Sequence, residues 1–271
     1  MDADDSVPSS PRLSRSFRSR NMNTKIQAVA LAAFSVVASA SQAALVASDN
    51  GSNYGGGWTN GSNGGTGFGA WQIATSGGGF AGNFIGNPSS AGISGMNAQS
   101  FGLYANPQGS GASVTATRAF GAALGVGDSF SIQWGINWDG DNGANGIKGF
   151  RLRIGATDVI TVQNAGNSDI TVNGSNVGFG YGTAAMTWTF TQTSATTVSI
   201  SANDRDGSGT YSANLTVSGY LNGFSLFASQ LGGGTDNRQP YFNDFAIDAV
   251  PAPGALALLG VAGIVGARRR R

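Results

Sequence analysis

The stretch Asp128-Ser129-Phe130-Ser131-Ile132-Gln133-Trp134-Gly135-Ile136 alternates polar and apolar residues over nine positions. Successive side chains on an extended chain point to opposite faces, so this pattern suits a strand with one face buried and one wet. Wound as a helix, the same residues would spread their apolar groups all round the axis. The alternation returns at Ser100 to Ala105, with Phe101, Leu103 and Ala105 on one face, and at Ser113 to Phe120, with Val114 and Ala116 together. At Gly149 to Ile154 it places Phe150, Leu152 and Ile154 inward and Arg151 and Arg153 outward. Weaker or shorter runs follow at Ala70 to Ala74, Asp158 to Val162, Ile170 to Val172, Thr187 to Thr191, Val198 to Ala202, Tyr211 to Val217, Gly223 to Ser229 and Tyr241 to Ile247. About ten to thirteen short strands, with no helical period of any length, predict an all-β antiparallel sandwich or barrel in one domain.

Composition agrees. Glycine accounts for 44 of 271 residues, against an ordinary share of about 7%. There is no Gly-X-Y period and there are only 7 prolines, which excludes collagen. Clusters such as Asn50-Gly51-Ser52, Asn60-Gly61-Ser62 and Asn63-Gly64-Gly65 are turn signals. Aromatics at 10% argue against disorder.

The formal charge of +1 conceals an uneven distribution. Four arginines close the chain, and Arg12, Arg15, Arg18, Arg20 and Lys25 crowd its start. Between Leu45 and Asp248 there are eleven aspartates against five arginines and one lysine, a net of −5. An acidic body is a poor partner for nucleic acid, whose phosphates need Lys and Arg. The chain has no Cys, no His and no Glu. Disulfides, Cys zinc sites, Cys nucleophiles, Ser-His-Asp triads and a His general base are therefore unavailable. Any acid/base pair must be built from Asp alone.

Both ends read as addresses. Residues 1–21 are polar and aperiodic, a disordered extension or a mis-assigned start. From Met22 the order is that of a secretory signal: Lys25, the apolar run Ile26 to Ala38, then Ser41-Gln42-Ala43 as a small-residue cleavage site. The apolar run is too short for a membrane helix. A signal peptide over 22–43 implies the Sec export machinery and signal peptidase as partners. At the other end, Val250-Pro251-Ala252-Pro253-Gly254 leads into an uncharged run to Ala267, followed by Arg268, Arg269, Arg270 and Arg271. Residues 254–267 would span about 21 Å as a helix, short of a bilayer core of about 30 Å. That suits a transient anchor, its arginines held on the cytoplasmic side. An ordinary tail anchor that is never cut is the alternative.

This three-part tail, residues 250–271, resembles the PEP-CTERM sorting signal of exported bacterial proteins, with Ala252 where the family name has Glu. The resemblance implies recognition by an exosortase-like membrane enzyme, brief anchoring in the inner membrane, and delivery to the envelope or an extracellular polysaccharide matrix. It carries no biochemical activity. The body, 45–248, resembles exported proteins with a concanavalin-A-like jelly roll. The residues that carry this are Gly-Gly-Gly-Trp-Thr-Asn at 55–60, Gly102-Leu103-Tyr104-Ala105, and Tyr241-Phe242-Asn243-Asp244-Phe245-Ala246-Ile247. That fold hosts lectins, hydrolases and structural domains alike.

Two acidic turns carry the candidate chemistry. Asp139-Gly140-Asp141-Asn142-Gly143 looks like the start of an oxygen-rich calcium loop, and Asp204-Arg205-Asp206 offers a second carboxylate pair. The bidentate Glu that closes an EF-hand is missing. A plain hairpin turn explains the same residues. Asp139 and Asp141, with Asp204 and Asp206, are thus the candidate structural-calcium ligands, and no other cofactor is implied. The same pairs could be offered as the carboxylates of a glycoside hydrolase, without a motif to support them. Trp58, Trp71, Trp134, Trp138 and Trp188, with Tyr104, Tyr181 and Tyr220, could be sugar-stacking platforms or core. Trp134 shares a face with Phe130, Ile132 and Ile136 and belongs in the core. Trp138 sits beside the acidic loop, so Trp138, Asp139, Asp141 and Asn142 form the candidate ligand site.

The expected molecule is an exported, non-enzymatic β-sandwich between an N-terminal signal helix and a short C-terminal apolar helix. Its expected role is structural or adhesive, with exopolysaccharide as a partner. A carbohydrate- or calcium-binding module is the alternative, and a hydrolase a distant third.

Overall fold

In a computed structural model, Ser129–Gly135 is a strand, and Phe130, Ile132 and Trp134 on its inner face are fully buried. The structure describes residues 43–107, 109–137, 146–165, 168–180, 182–203, 210–232 and 238–251. In chain order the strands are β1 (Ala44–Asp49), β2 (Gln72–Ser76), β3 (Phe80–Gly86), β4 (Ser100–Asn106), β5 (Ser113–Ala119), β6 (Ser129–Gly135), β7 (Ile147–Ile154) and β8 (Thr157–Ala165). Then follow β9 (Ile170–Val172), β10 (Ser175–Asn176), β11 (Met186–Ser194), β12 (Thr197–Asn203), β13 (Thr210–Thr216), β14 (Gly223–Ser229) and β15 (Tyr241–Ala249). Two 3-10 turns, Gly51–Tyr54 and Pro88–Ala91, are the helical elements among the described residues.

The strands form two antiparallel sheets. One runs β13-β12-β11-β6-β15-β4-β3, with β1 also paired to β15; the other runs β10-β9-β8-β7-β14-β5-β2. Their apolar faces meet in a single aromatic-rich core. Phe130 of β6 lies 5.0 Å from Phe224 of β14, and Trp134 stands edge-on to Phe150 of β7 at 5.6 Å. Trp58, Trp71, Trp134 and Trp188 are all buried here. Those four rings are core, so they cannot serve as exposed sugar platforms.

Fifteen strands exceed the ten to thirteen expected. β1 directly follows the segment expected to be a signal peptide and reads in sequence as part of it. β3, Phe-Ala-Gly-Asn-Phe-Ile-Gly, hides its alternation because two of its outward positions are glycine. β10 is a two-residue pairing too short to leave a pattern.

Between the sheets lies a charge that the alternation concealed. Arg118 continues the inward face of Val114 and Ala116 on β5, with 1% of its surface exposed. It pairs with Asp49 at the end of β1, and both side chains are fully buried. Arg118 also donates from Nε to the Gly69 carbonyl at 2.6 Å, and from Nη2 to the Gly64 carbonyl at 2.7 Å and Asn63 Oδ1 at 3.0 Å. Asp49 accepts in addition from the Tyr54 hydroxyl at 2.6 Å, Asn53 Nδ2 at 2.8 Å and its neighbour Asn50 N at 2.9 Å. The guanidinium sits 5.0 Å from the Phe68 ring and 5.1 Å from that of Trp71. A buried ion pair is tolerable when its spare donors and acceptors are filled, as here. The pair ties the two sheets together and folds the Gly-rich 55–69 segment against them.

Tyr54 reports on this cluster. Burial, then its hydrogen bond to Asp49, pushes its phenol up to about 12. The fold therefore favours the protonated ring. That stabilisation is complete below the ordinary phenol pKa of about 10 and is lost as pH rises to about 12. With solvent screening part of the effect, unfolding free energy should drop by about 1–2 kcal/mol across that window. Urea titrations of wild type and Tyr54→Phe between pH 9 and 12 check this, since the variant should lose most of the slope. Tyr211, also raised by burial, should contribute to the slope that remains.

Candidate functional site

The outer face of the eight-stranded sheet carries a pocket at its β3 edge. On β3, the residues facing away from the core are Phe80, Gly82, Phe84 and Gly86; on β4 they are Ser100, Gly102, Tyr104 and Asn106. The antiparallel register sets Phe84 opposite Gly102 and Tyr104 opposite Gly82. Each ring thus faces a glycine across the ladder and leans over it. A Cβ on Gly102 would overlap the far end of the Phe84 ring, and one on Gly82 would overlap the Tyr104 phenol. Gly86 is likewise covered by Phe84. Absence of a Cβ at these three positions allows the rings to lie low on the sheet.

Tyr241, the first residue of β15, pairs with Gly102 from the other side and completes the cluster. Its ring stands at 89° to Phe84 with centroids 5.7 Å apart, and Tyr104 lies 6.4 Å from Phe84. The cavity over these rings has a volume of about 370 Å³ and is rimmed by Asn87, Ser90 and Gln239. Asn87 caps the Pro88–Ala91 turn: its Oδ1 accepts from Ser89 N at 3.1 Å. Asn87 is exposed, and its amide carries further donor and acceptor capacity beyond that bond. Ser90 donates its hydroxyl to the Asn87 carbonyl at 2.7 Å, which leaves its oxygen as an acceptor. Every lining residue among those described is uncharged. The site offers ring surface plus neutral amide and hydroxyl groups, and no acid or base poised for proton transfer.

A larger groove, about 630 Å³, crosses the other sheet near Gln72, Thr117, Arg153 and Asn222. Its size does not make it the better site. Arg153 is already held by Asp158 Oδ1 at 2.9 Å and the Ala156 carbonyl at 2.6 Å, and the Asn222 Oδ1 accepts from Gly155 N. Among its described lining residues Phe120 is the one aromatic, so the groove lacks the cluster of rings found at the β3 edge.

The site residues expected from sequence fall elsewhere. Trp138, Asp139, Asp141 and Asn142, between β6 and β7, lie outside the described residues, as do Asp204 and Asp206 between β12 and β13 and the ring of Tyr181. The strands leading to both acidic segments end near one another: Trp134 pairs with Met186, and Thr187 N donates to Asn203 Oδ1 at 2.6 Å. Val250 and Pro251 are described; Pro253, Gly254 and Arg268 to Arg271 are not, nor is the leader before Ala43. Among the described residues no helix is long and apolar enough to cross a membrane, and no three His, Cys, Asp or Glu side chains gather as a metal site. Tyr104 was visible in the sequence as a platform and stands in the pocket. Phe84, Tyr241, Asn87 and Gln239 were missed. The available signal was a strand with glycines at every other outward position beside an outward Phe.

No protein-family model matches the chain, and no curated protein does. Solved structures similar to it include arcelin-5, a lectin-like defence protein from Phaseolus vulgaris: identity is 11%, coverage 74% of this chain and 96% of arcelin-5, and the TM-score 0.40. The exoplasmic/lumenal domain of VIP36, in a Ca2+/Man3GlcNAc-bound form, shares 8% identity over 67% of this chain and 84% of its own, with a TM-score of 0.39. The enzymatically active domain of bacteriophage CBA120 tailspike protein 4 shares 12% identity over 66% of this chain and 19% of its own, with a TM-score of 0.33. Likeness of this degree assigns neither a family nor a function.

Proposed function

We propose that the chain is an exported, non-enzymatic glycan-binding β-sandwich of jelly-roll type, and that it holds neutral sugars at the β3 edge of its larger sheet. The observation that carries this is the pair of part-exposed rings Phe84 and Tyr104 on a glycine floor, backed by the buried Tyr241 and rimmed by Asn87, Ser90 and Gln239. Sugar rings present apolar C–H faces that stack on aromatics and hydroxyls that bond to amides, and this pocket supplies both partners. The lack of charge around it favours neutral over acidic saccharides. A purely structural reading of the same residues exists, because an aromatic laid over a cross-strand glycine also stabilises a sheet edge. The two differ in outcome. On a glycan array the intact protein should bind neutral oligosaccharides. Phe84→Ala should weaken that binding about tenfold or more. An array with no neutral-glycan signal would sink the proposal and leave a structural or adhesive role.

The address follows from the tail's resemblance to a PEP-CTERM signal. The proposed route is Sec export, signal cleavage near Ala43, a brief stay in the inner membrane and processing by an exosortase-like enzyme. In a host that carries such an enzyme, the mature protein should lack both ends by intact mass. Replacing Arg268 to Arg271 with serines should leave the tail uncut. Structural calcium at Asp139 and Asp141, or at Asp204 and Asp206, is part of the same proposal and rests on those residue types alone.

A further inference from the structure

Building on the glycan-binding reading, we propose that the site is a track along β3 that takes the interior of a neutral polysaccharide chain, with Phe80 as its far platform. Phe80 is the first residue of β3, and 76% of its surface is exposed. A lone exposed aromatic is ordinary on a protein surface. What distinguishes Phe80 is register. It faces the same way as Phe84, four residues on, which places the two about 14 Å apart along the strand. That is longer than one sugar ring. Between them the floor is Gly82, with the Tyr104 ring leaning over it from β4. Phe80, Tyr104 and Phe84 therefore follow one another along a single edge, with no upright side chain of β3 between them.

The surroundings favour a through-running chain over a chain end. β3 is the last strand of its sheet among the described residues, so no further strand walls the track. At the Phe84 end, the exposed Asn87 and Ser90 stand beside the rings. At the Phe80 end the ring itself is open to solvent. The lining carries no charge, consistent with a neutral polymer.

The test uses the intact protein in affinity gel electrophoresis against mixed-linkage β-glucan, galactomannan and arabinoxylan. Calorimetry then follows with the disaccharide and hexasaccharide of whichever polymer retards it. Phe80→Ala should weaken binding of the hexasaccharide and polymer about tenfold while leaving the disaccharide unchanged. Phe84→Ala should weaken every length. Because Phe80 is exposed, its alanine variant should melt with wild type, which removes misfolding as an explanation. Equal binding of both lengths by wild type and Phe80→Ala, with Phe84→Ala still impaired, would overturn the track and leave the pocket standing. If no polymer retards the wild type, the glycan reading falls, and the track falls with it.

Discussion

Replacing Arg118 with methionine is expected to lower the unfolding free energy by about 3–5 kcal/mol. The change leaves the Asp49 carboxylate buried without its cation, and it strips donors from the Gly64 and Gly69 carbonyls. For a domain of this size each kcal/mol moves the midpoint by about 2–4 °C, so the melting temperature should fall by at least about 6 °C. Arg118→Lys should recover only part of the loss, because an ammonium cannot present the planar fork that reaches Asp49, Asn63 and two carbonyls together. Removing both charges with Arg118→Met and Asp49→Leu should also be better than Arg118→Met alone, since no bare charge is left. Full recovery is not expected: the carbonyls still lack donors, and Tyr54, Asn53 and Asn50 lose their acceptor, at about 1 kcal/mol or more for each buried group left unpaired. Urea unfolding of the four proteins decides it. If Arg118→Met costs less than about 1 kcal/mol, the cluster is not what ties the sheets.

Gly102→Ala is expected to separate the site from the fold. The new Cβ points outward, away from the core, and overlaps the Phe84 ring. The ring must lift, and the low platform is lost. Overpacking of this kind costs about 1–3 kcal/mol, which the sandwich should survive. Glycan binding should fall at least about tenfold, as far as in Phe84→Ala. The double variant, Gly102→Ala with Phe84→Ala, should be more stable than Gly102→Ala alone, because the ring that the methyl overlaps is gone. A site that merely sits near Phe84 would bind as well in Gly102→Ala as in wild type. Calorimetry and thermal melts on the three variants separate these cases.

Much of the fold was written in the alternation. β6, β7, β12 and β14 fall within a residue or two of the expected bounds, because burial of one face forces a period of two. β3 was lost for the reason that makes it useful: its outward glycines erase the pattern and create the floor under Phe84 and Tyr104. Arg118 lies on the Val114 and Ala116 face by the same period of two, and was passed over because a charge at an inward position does not read as core. The pocket was only partly legible. Tyr104 could be seen as a platform, but Gly102 gains Phe84 on one side and Tyr241 on the other only once β15 is placed beside β4. No local spacing encodes that meeting. The acidic loops drew attention by composition, a cue that turns and metal sites share.

β15 has a consequence for the order of events in biogenesis. It lies in the middle of the larger sheet, pairing with β1, β4 and β6, yet it is the last strand among the described residues. Its exit is pinned where Val250 N donates to Asp128 Oδ1 at 2.8 Å. A nascent chain that has not yet delivered residues 241–249 lacks the strand that joins three others, and its core stays open. On the export route proposed above, threading through a translocon would require such an unfinished chain. The segment that begins at Val250 emerges directly behind the strand that closes the sheet. Completion of the domain and arrival of its tail are therefore almost a single event in time.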